Sequence, residues 1–311
     1  MDQKNELNEQ AEEPVAGDSV DEEIIEEAPQ QQSLNNNVYY QRFDSFSRFL
    51  HLLVIISFLS LATTGMIIKF SGVGVFQTLS KLMGGYEVTG FIHRVAAIIT
   101  FTYFFLHVGY LIFKKKKRRK TIKQMLTGEN SMLPQKRDIT EFIQTMKWFL
   151  GLGLRPRYGR WTYWEKFDYF AVFWGVIVIG FSGLILWFPE FFTALGLPGW
   201  IINVATIIHS DEALLATGFI FTVHFFNTHF RPDKFPIDTV IFTGSVHLDE
   251  FKEDRPRQYE LLVKNGELQD RLVSPPPEFL TKISRIFGFT ALTIGLLIII
   301  LTIYSMIFLY Q

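Results

Sequence analysis

Long apolar runs alternate with polar connections along this chain. Five segments are apolar over roughly 20 residues or more, the length needed to cross a hydrocarbon core at about 1.5 Å of rise per residue. They run Arg48 to Phe70, Gly90 to Phe113, Phe167 to Phe188, Thr206 to Asn227 and Ile286 to Tyr310. The pattern predicts an all-α integral membrane protein, with a bundle of four spans and a fifth C-terminal transmembrane helix. Pro189, Pro198 and Pro232 fall at span ends, so the pattern contains no broken helix centre.

The basic residues orient the spans. The connection from Lys114 to Trp164 carries 14 Lys and Arg against Glu129, Asp138 and Glu141. The connection from Ser71 to Thr89 has only Lys81, and that from Phe191 to Ala205 has no base. The excess of Lys and Arg on cytoplasmic loops then predicts a multi-pass protein of the cytoplasmic (inner) membrane. Its N-terminus, basic loop and the segment after the fourth span lie inside, and its C-terminus outside. A nucleic-acid partner is not expected, because no aromatic interleaving or binding fold accompanies the Lys114–Lys120 run.

Composition refines this picture at two points. The 311 residues look neutral, with 30 bases and 31 acids, but residues 1–35 hold 11 of the acids and one base, Lys4. That tail has too little apolar surface to fold alone and is expected to be disordered and cytoplasmic, with no cleavable signal peptide. Cysteine is absent, which excludes thiolate-ligated iron–sulfur clusters, Cys-containing zinc fingers, disulfides and Cys-linked haem.

The seven histidines carry the chemistry. Five, His51, His93, His107, His209 and His224, fall inside predicted spans, where ionisable groups are costly and face a partner rather than lipid. A single such histidine reads as a packing residue; five on three helices need a common cause. His93 and His107 are 14 residues apart, about 21 Å of rise and within about 40° of whole turns. His209 and His224 are 15 apart, about 60° past whole turns, and a bend or π-bulge would align them. The second and fourth spans run the same way, so His93 matches His209 near the outer surface. His107 and His51 both match His224 near the inner one. Paired imidazoles at two depths suit two stacked haems in a bundle core. Gly65 with Thr63 and Thr64, Ala96 with Ala97, and Gly180, Ser182 and Gly183 leave room for a macrocycle, although small residues also serve close helix packing in membranes. Zinc would need one tetrahedral cluster rather than two layers. A transporter would show broken helices at midplane. No Walker loop, GxGxxG or Ser-His-Asp arrangement appears. Met66 and Met125 read as core filling, and His247 as solvated.

The stretch Arg48-Phe-Leu-His51-Leu-Leu followed by Leu61-Ala-Thr-Thr-Gly65 resembles the first span of the di-haem cytochrome b subunits of membrane formate dehydrogenases, nickel–iron hydrogenases and thiosulfate reductases. Tyr163-Trp164-Glu165-Lys166-Phe167 is similar to the segment before that family's third span. The resemblance covers roughly residues 42 to 232. It implies that His93 and His209 ligate the outer haem iron and that His51 and His224 ligate the inner one. His107 is an additional histidine and the alternative inner ligand. The 15-residue spacing on the fourth span departs from the family's usual pattern. On this reading the chain divides into an acidic tail (1–35), a di-haem bundle (36–232, with the basic loop 114–164), a cytoplasmic segment (233–284) and the fifth helix (285–311).

Two haems in a membrane imply electron transfer with a lipid-soluble carrier, and the resemblance implies a menaquinone site beside the inner haem. Trp164, Lys166 and Asp168 are the residues placed there, with Glu165, Asn227 and His229 nearby. Asp168 or Glu165 would take protons, and Phe167, Phe170 and Trp164 would line a slot. The family's Asn before the third span aligns with Thr162. As an alternative, Glu165, Lys166 and Asp168 form a helix-end charge cluster. Near the outer haem, Arg94 is placed to pair a haem propionate, or else to close the bundle on Asp211 or Glu212. The expected function is a b-type di-haem cytochrome linking quinone to a partner redox subunit, iron–sulfur or multihaem, on the outer face. A membrane anchor or assembly subunit with structural histidines, or less well a transporter, are the alternatives.

Overall fold

The computed structural model describes residues 38–117 and 121–309. The acidic tail, 1–35, and the last residues of the Lys114–Lys120 run lie outside the described residues. The elements are β1 (Tyr39–Gln41), α1 (Ser45–Lys69), α2 (Gly74–Leu82), α3 (Tyr86–Lys117), α4 (Ile122–Thr127), α5 (Lys136–Phe149), α6 (Tyr163–Trp187) and α7 (Pro189–Ala194). There follow α8 (Trp200–Phe219), α9 (Val240–Thr243), β2 (Ser245–His247), α10 (Leu248–Asp254), α11 (Pro256–Lys264), β3 (Leu272–Val273) and α12 (Glu278–Phe308). Among the described residues, five helices are long and apolar enough to cross a membrane: α1, α3, α6, α8 with its continuation to Phe230, and α12. The chain is an all-α integral membrane protein, apart from one small sheet.

The first and third spans begin earlier than their apolar runs because polar residues cap them. The Asp44 carboxylate accepts from Ser47 N–H at 2.8 Å and starts α1. The same carboxylate holds the far end of α3, accepting from Tyr110 Oη at 2.6 Å and Lys114 Nζ at 2.9 Å. Thr162 caps α6 in a reciprocal box. Its hydroxyl accepts from Glu165 N–H, while Glu165 Oε2 accepts from Thr162 N–H at 2.8 Å. The third span therefore starts at Tyr163, and Trp164, Glu165 and Lys166 lie in its first turn rather than in a loop.

The fourth span changes pitch where the histidine spacing requires it. α8 passes at Ile220 into π-helical turns, Ile220–His224 and Phe226–Phe230. A π turn takes up extra residues per revolution, which corrects the surplus rotation between His209 and His224.

α12 packs against α1 and the π-helical end of the fourth span. The shared core includes Met66, Ile67, Phe70, Phe221, Phe225 and Leu292. Gly295 makes the approach possible: a Cβ there would stand 2.6 Å from Phe221 Cδ1 and 2.8 Å from Phe225 Cε2.

Residues 233–284 do not stand apart. β1, assigned from sequence to the bundle, pairs antiparallel with both β2 and β3. Tyr40 stacks on Phe251 at 3.8 Å, and Gln258 Nε2 donates to Tyr40 Oη at 3.1 Å. This cap sits over the end of the bundle that carries the basic connection. It is tied there by Arg257 on Glu129, by Arg155 on Asp254, and by Arg255, which shares Glu165 with Arg42. Burial and the Lys234 ammonium hold opposite effects on Asp254; the cation wins, and its carboxyl lies at about 2.

Candidate haem site

Between the spans lies a cavity of about 1700 Å³. His51, His93, His107, His209, His224 and His229 all line it. They fall into two groups along the bundle. Thr64 and Gly65, beside His93, follow His51 on α1 by 13 and 14 residues, about 20 Å of rise.

At the end away from the basic connection, the His93 and His209 rings face each other. Their centroids are 6.1 Å apart and their planes cross at 72°. His93 Nδ1 lies 2.9 Å from Thr64 Oγ1. The Thr64 hydroxyl donates to the Ser60 carbonyl at 2.6 Å, so toward His93 its oxygen accepts. His93 therefore carries its proton on Nδ1 and a lone pair on Nε2. His209 Nδ1 lies 2.9 Å from the Ile179 carbonyl, which only accepts, so the same tautomer follows. Fixing Nδ1–H on a backbone or side-chain acceptor is what orients an imidazole as a metal ligand. The two rings thus stand at one level of the cavity, each with its Nδ1 already engaged.

The small residues serve these rings. A Cβ on Gly183 would come 2.9 Å from His209 Cε1, and one on Gly65 3.5 Å from His93 Cε1. Gly180 instead accommodates Phe101, whose ring would lie 3.0 Å from an added Cβ.

At the basic end, His224 Nδ1 is 2.9 Å from Asp168 Oδ2. A carboxylate accepts, so His224 too presents Nε2. His51 lies within electrostatic range of His224 and His229. His107 is placed differently: its Nε2 is 2.9 Å from the Tyr169 hydroxyl, and its ring rests on Tyr169 and Phe173. His229 Nδ1 accepts from Asp238 N–H at 3.2 Å. His247, expected to be solvated, caps α10 and sits edge-on to Tyr39.

The residues placed near the quinone separate. Trp164 and Asp168 line the cavity, and Arg231 lies over the Trp164 ring at 5.2 Å. Lys166 does not belong to this group, which corrects the sequence expectation. It points to the other side of α6, where its ammonium is buried and donates to both Asp138 oxygens at 2.8 and 3.0 Å. Buried there and paired with Asp138, the ammonium does not line the cavity. Glu165 and Asp168 likewise face different partners, so the three charges are not one cluster. Thr162 is spent on capping.

Arg94 lines the opposite end of the cavity, as does Glu212. The Arg94–Asp211 closure does not form, because Asp211 pairs with Lys69 at 3.1 Å, and Lys69 also donates to Ser210.

Sequence reading missed the groups that fix the tautomers. The Ile179 carbonyl carries no sequence signal, and Thr64 was noticed only for its size. Asp168 was legible as an intramembrane acid at the depth of His224.

Residues 28–128 match the family model described as prokaryotic cytochrome b561, a stretch that contains His51, His93 and His107. No curated protein matches the chain. The long apolar helices make the chain a multi-pass membrane protein, and over residues 28–128, about a third of its length, its sequence is similar to the prokaryotic cytochrome b561 family.

Proposed function

We propose that this chain is a di-haem cytochrome b that moves electrons across the membrane between the quinone pool and a redox partner subunit on the outer face. The observation that carries the reading is the set of three cavity-lining imidazoles, His93, His209 and His224, each held in the Nδ1–H tautomer by a neighbouring helix. Structural histidines in an anchor protein need no free Nε2 lone pair.

His93 and His209 hold the outer iron in this reading, and His51 and His224 the inner one. His51 is preferred to His107 because His107 Nε2 is engaged by Tyr169, whereas no described residue hydrogen-bonds His51. Haem supplies a one-electron couple at each level when bound. Asp168 fixes the tautomer of His224 and keeps its ring oriented. Arg94, near His93 and exposed to the cavity, pairs an outer haem carboxylate. The quinone headgroup occupies the basic end of the cavity near Trp164, Phe167 and Phe170, where Asp168, Glu165 and His229 also line the wall and are able to exchange protons. The basic end faces the cytoplasm, in accord with the Lys and Arg excess.

The purified protein is tested by haem extraction and a reduced-minus-oxidised visible spectrum. Two haems per chain with sharp low-spin bands are expected. A colourless preparation would leave an anchor or a transporter; one haem per chain would restrict the site to a single level.

A further inference from the structure

Helix α5, in the connection between the second and third spans, takes no part in the cavity. At about 100° per residue its side chains sort into three stripes. Asp138, Glu141 and Thr145 share one side, and these are its buried residues. Ile139, Phe142, Ile143, Met146 and Phe149 share a second side, and all are exposed. Lys136, Thr140, Gln144 and Lys147 share a third, also exposed.

The inward stripe is polar because the protein supplies its partners. Lys166 binds Asp138, Arg137 lies on Glu141 at 3.4 Å, and Tyr158 Oη meets Thr145 Oγ1 at 2.8 Å. Burial raises the Glu141 carboxyl above its ordinary range. The apolar stripe is thus turned away from the fold, and Leu150, Leu152 and Leu154 extend it, the last 92% exposed. A contiguous apolar surface of this kind marks an interaction site.

Two observations identify what covers it. The stripe continues the lipid-facing surface of the bundle: the Phe142 ring meets Tyr163, the first residue of the third span, edge-on at 5.4 Å. The Asp138–Lys166 pair fixes α5 to that same first turn, the level at which the apolar span begins. The neighbouring stripe carries Lys136 and Lys147, which complement anionic headgroups, and the exposed Trp148 suits the interfacial zone. Packed protein, hydrocarbon and headgroup water each need one side of such a helix.

We propose that α5 is an interfacial helix whose Ile139, Phe142, Ile143, Met146 and Phe149 stripe is seated in the headgroup–acyl boundary of the bilayer. It braces the start of the third span from the membrane surface. The occupant of the stripe is lipid rather than a protein partner or a second copy.

The chain has no cysteine, so single-cysteine variants label cleanly. Phe142→Cys, Met146→Cys and Gln144→Cys are each nitroxide-labelled in the full chain in lipid nanodiscs, with Phe181→Cys in the third span as a lipid-facing reference. Collision with oxygen and with an aqueous nickel chelate is then measured by electron paramagnetic resonance. Labels at 142 and 146 should resemble the reference, favouring oxygen several-fold over the label at 144, at a depth of about 5–10 Å. Labels at 142 and 146 that collide with nickel as freely as the one at 144 place the stripe in water and overturn the proposal. Labels shielded from both reagents place it against protein and overturn it equally. All three α5 sites are exposed, and monodisperse elution of each variant confirms its fold.

Discussion

The histidines differ by what holds their Nδ1 atoms, and this decides what each substitution does. His209→Ala should remove one haem and leave the other spectrally intact, because its partner ring, His93, sits at one end of the cavity and His224 at the other. Loss of both haems together would contradict separate levels. His51→Ala should empty the inner site, whereas His107→Ala should leave it filled; haem content of the two variants decides between them. Asp168→Asn keeps an oxygen near His224 but removes the negative charge. Without that charge behind its ligand, ferric iron is less stabilised, so the inner midpoint potential should rise while haem remains bound. A potentiometric titration that leaves both potentials unmoved would remove Asp168 from this role.

Helices and strands here are set by short-range chemistry at their ends and by glycine where they cross. Thr162→Ala removes the cap of the third span and should cost about 1 kcal/mol of stability, read by thermal unfolding in detergent. Gly295→Leu would drive a side chain into Phe221 and Phe225, and should cost about 1–3 kcal/mol by overpacking and loosen the fifth helix. Proteolytic release of the C-terminal segment reports that loosening. The apolar runs made all five spans legible. Their starts were not, since Asp44, Thr162 and Pro277 lie outside the apolar windows that reveal a span. The π-helical turns of the fourth span were legible in outline, because 15 residues leave two side chains about 60° out of line on a regular helix.

Over the whole molecule, charge pairs link elements distant in sequence. Asp138→Ala would leave Lys166 buried without its partner, at a cost of about 3–5 kcal/mol. The double change with Lys166→Met should recover much of that loss, and unfolding temperatures of the two variants measure it. The cap depends on Asp254, whose carboxyl lies at about 2 when folded, below its ordinary value of 3.8. A depressed acid stabilises the fold fully above its ordinary value, and that contribution is lost as pH falls through the folded one. Attachment of the cap should therefore weaken between about pH 4 and pH 2, seen as faster hydrogen exchange in residues 245–262. The amino-acid sequence alone determined the spans, the imidazoles at two depths and the absence of thiolate chemistry, because apolar length and helical period act locally. Only the tertiary structure decided which acceptor orients each imidazole, that Lys166 turns from the cavity to Asp138, and that β1 joins the cap. Those outcomes depend on which residues of other helices a side chain meets, and sequence separation does not encode that.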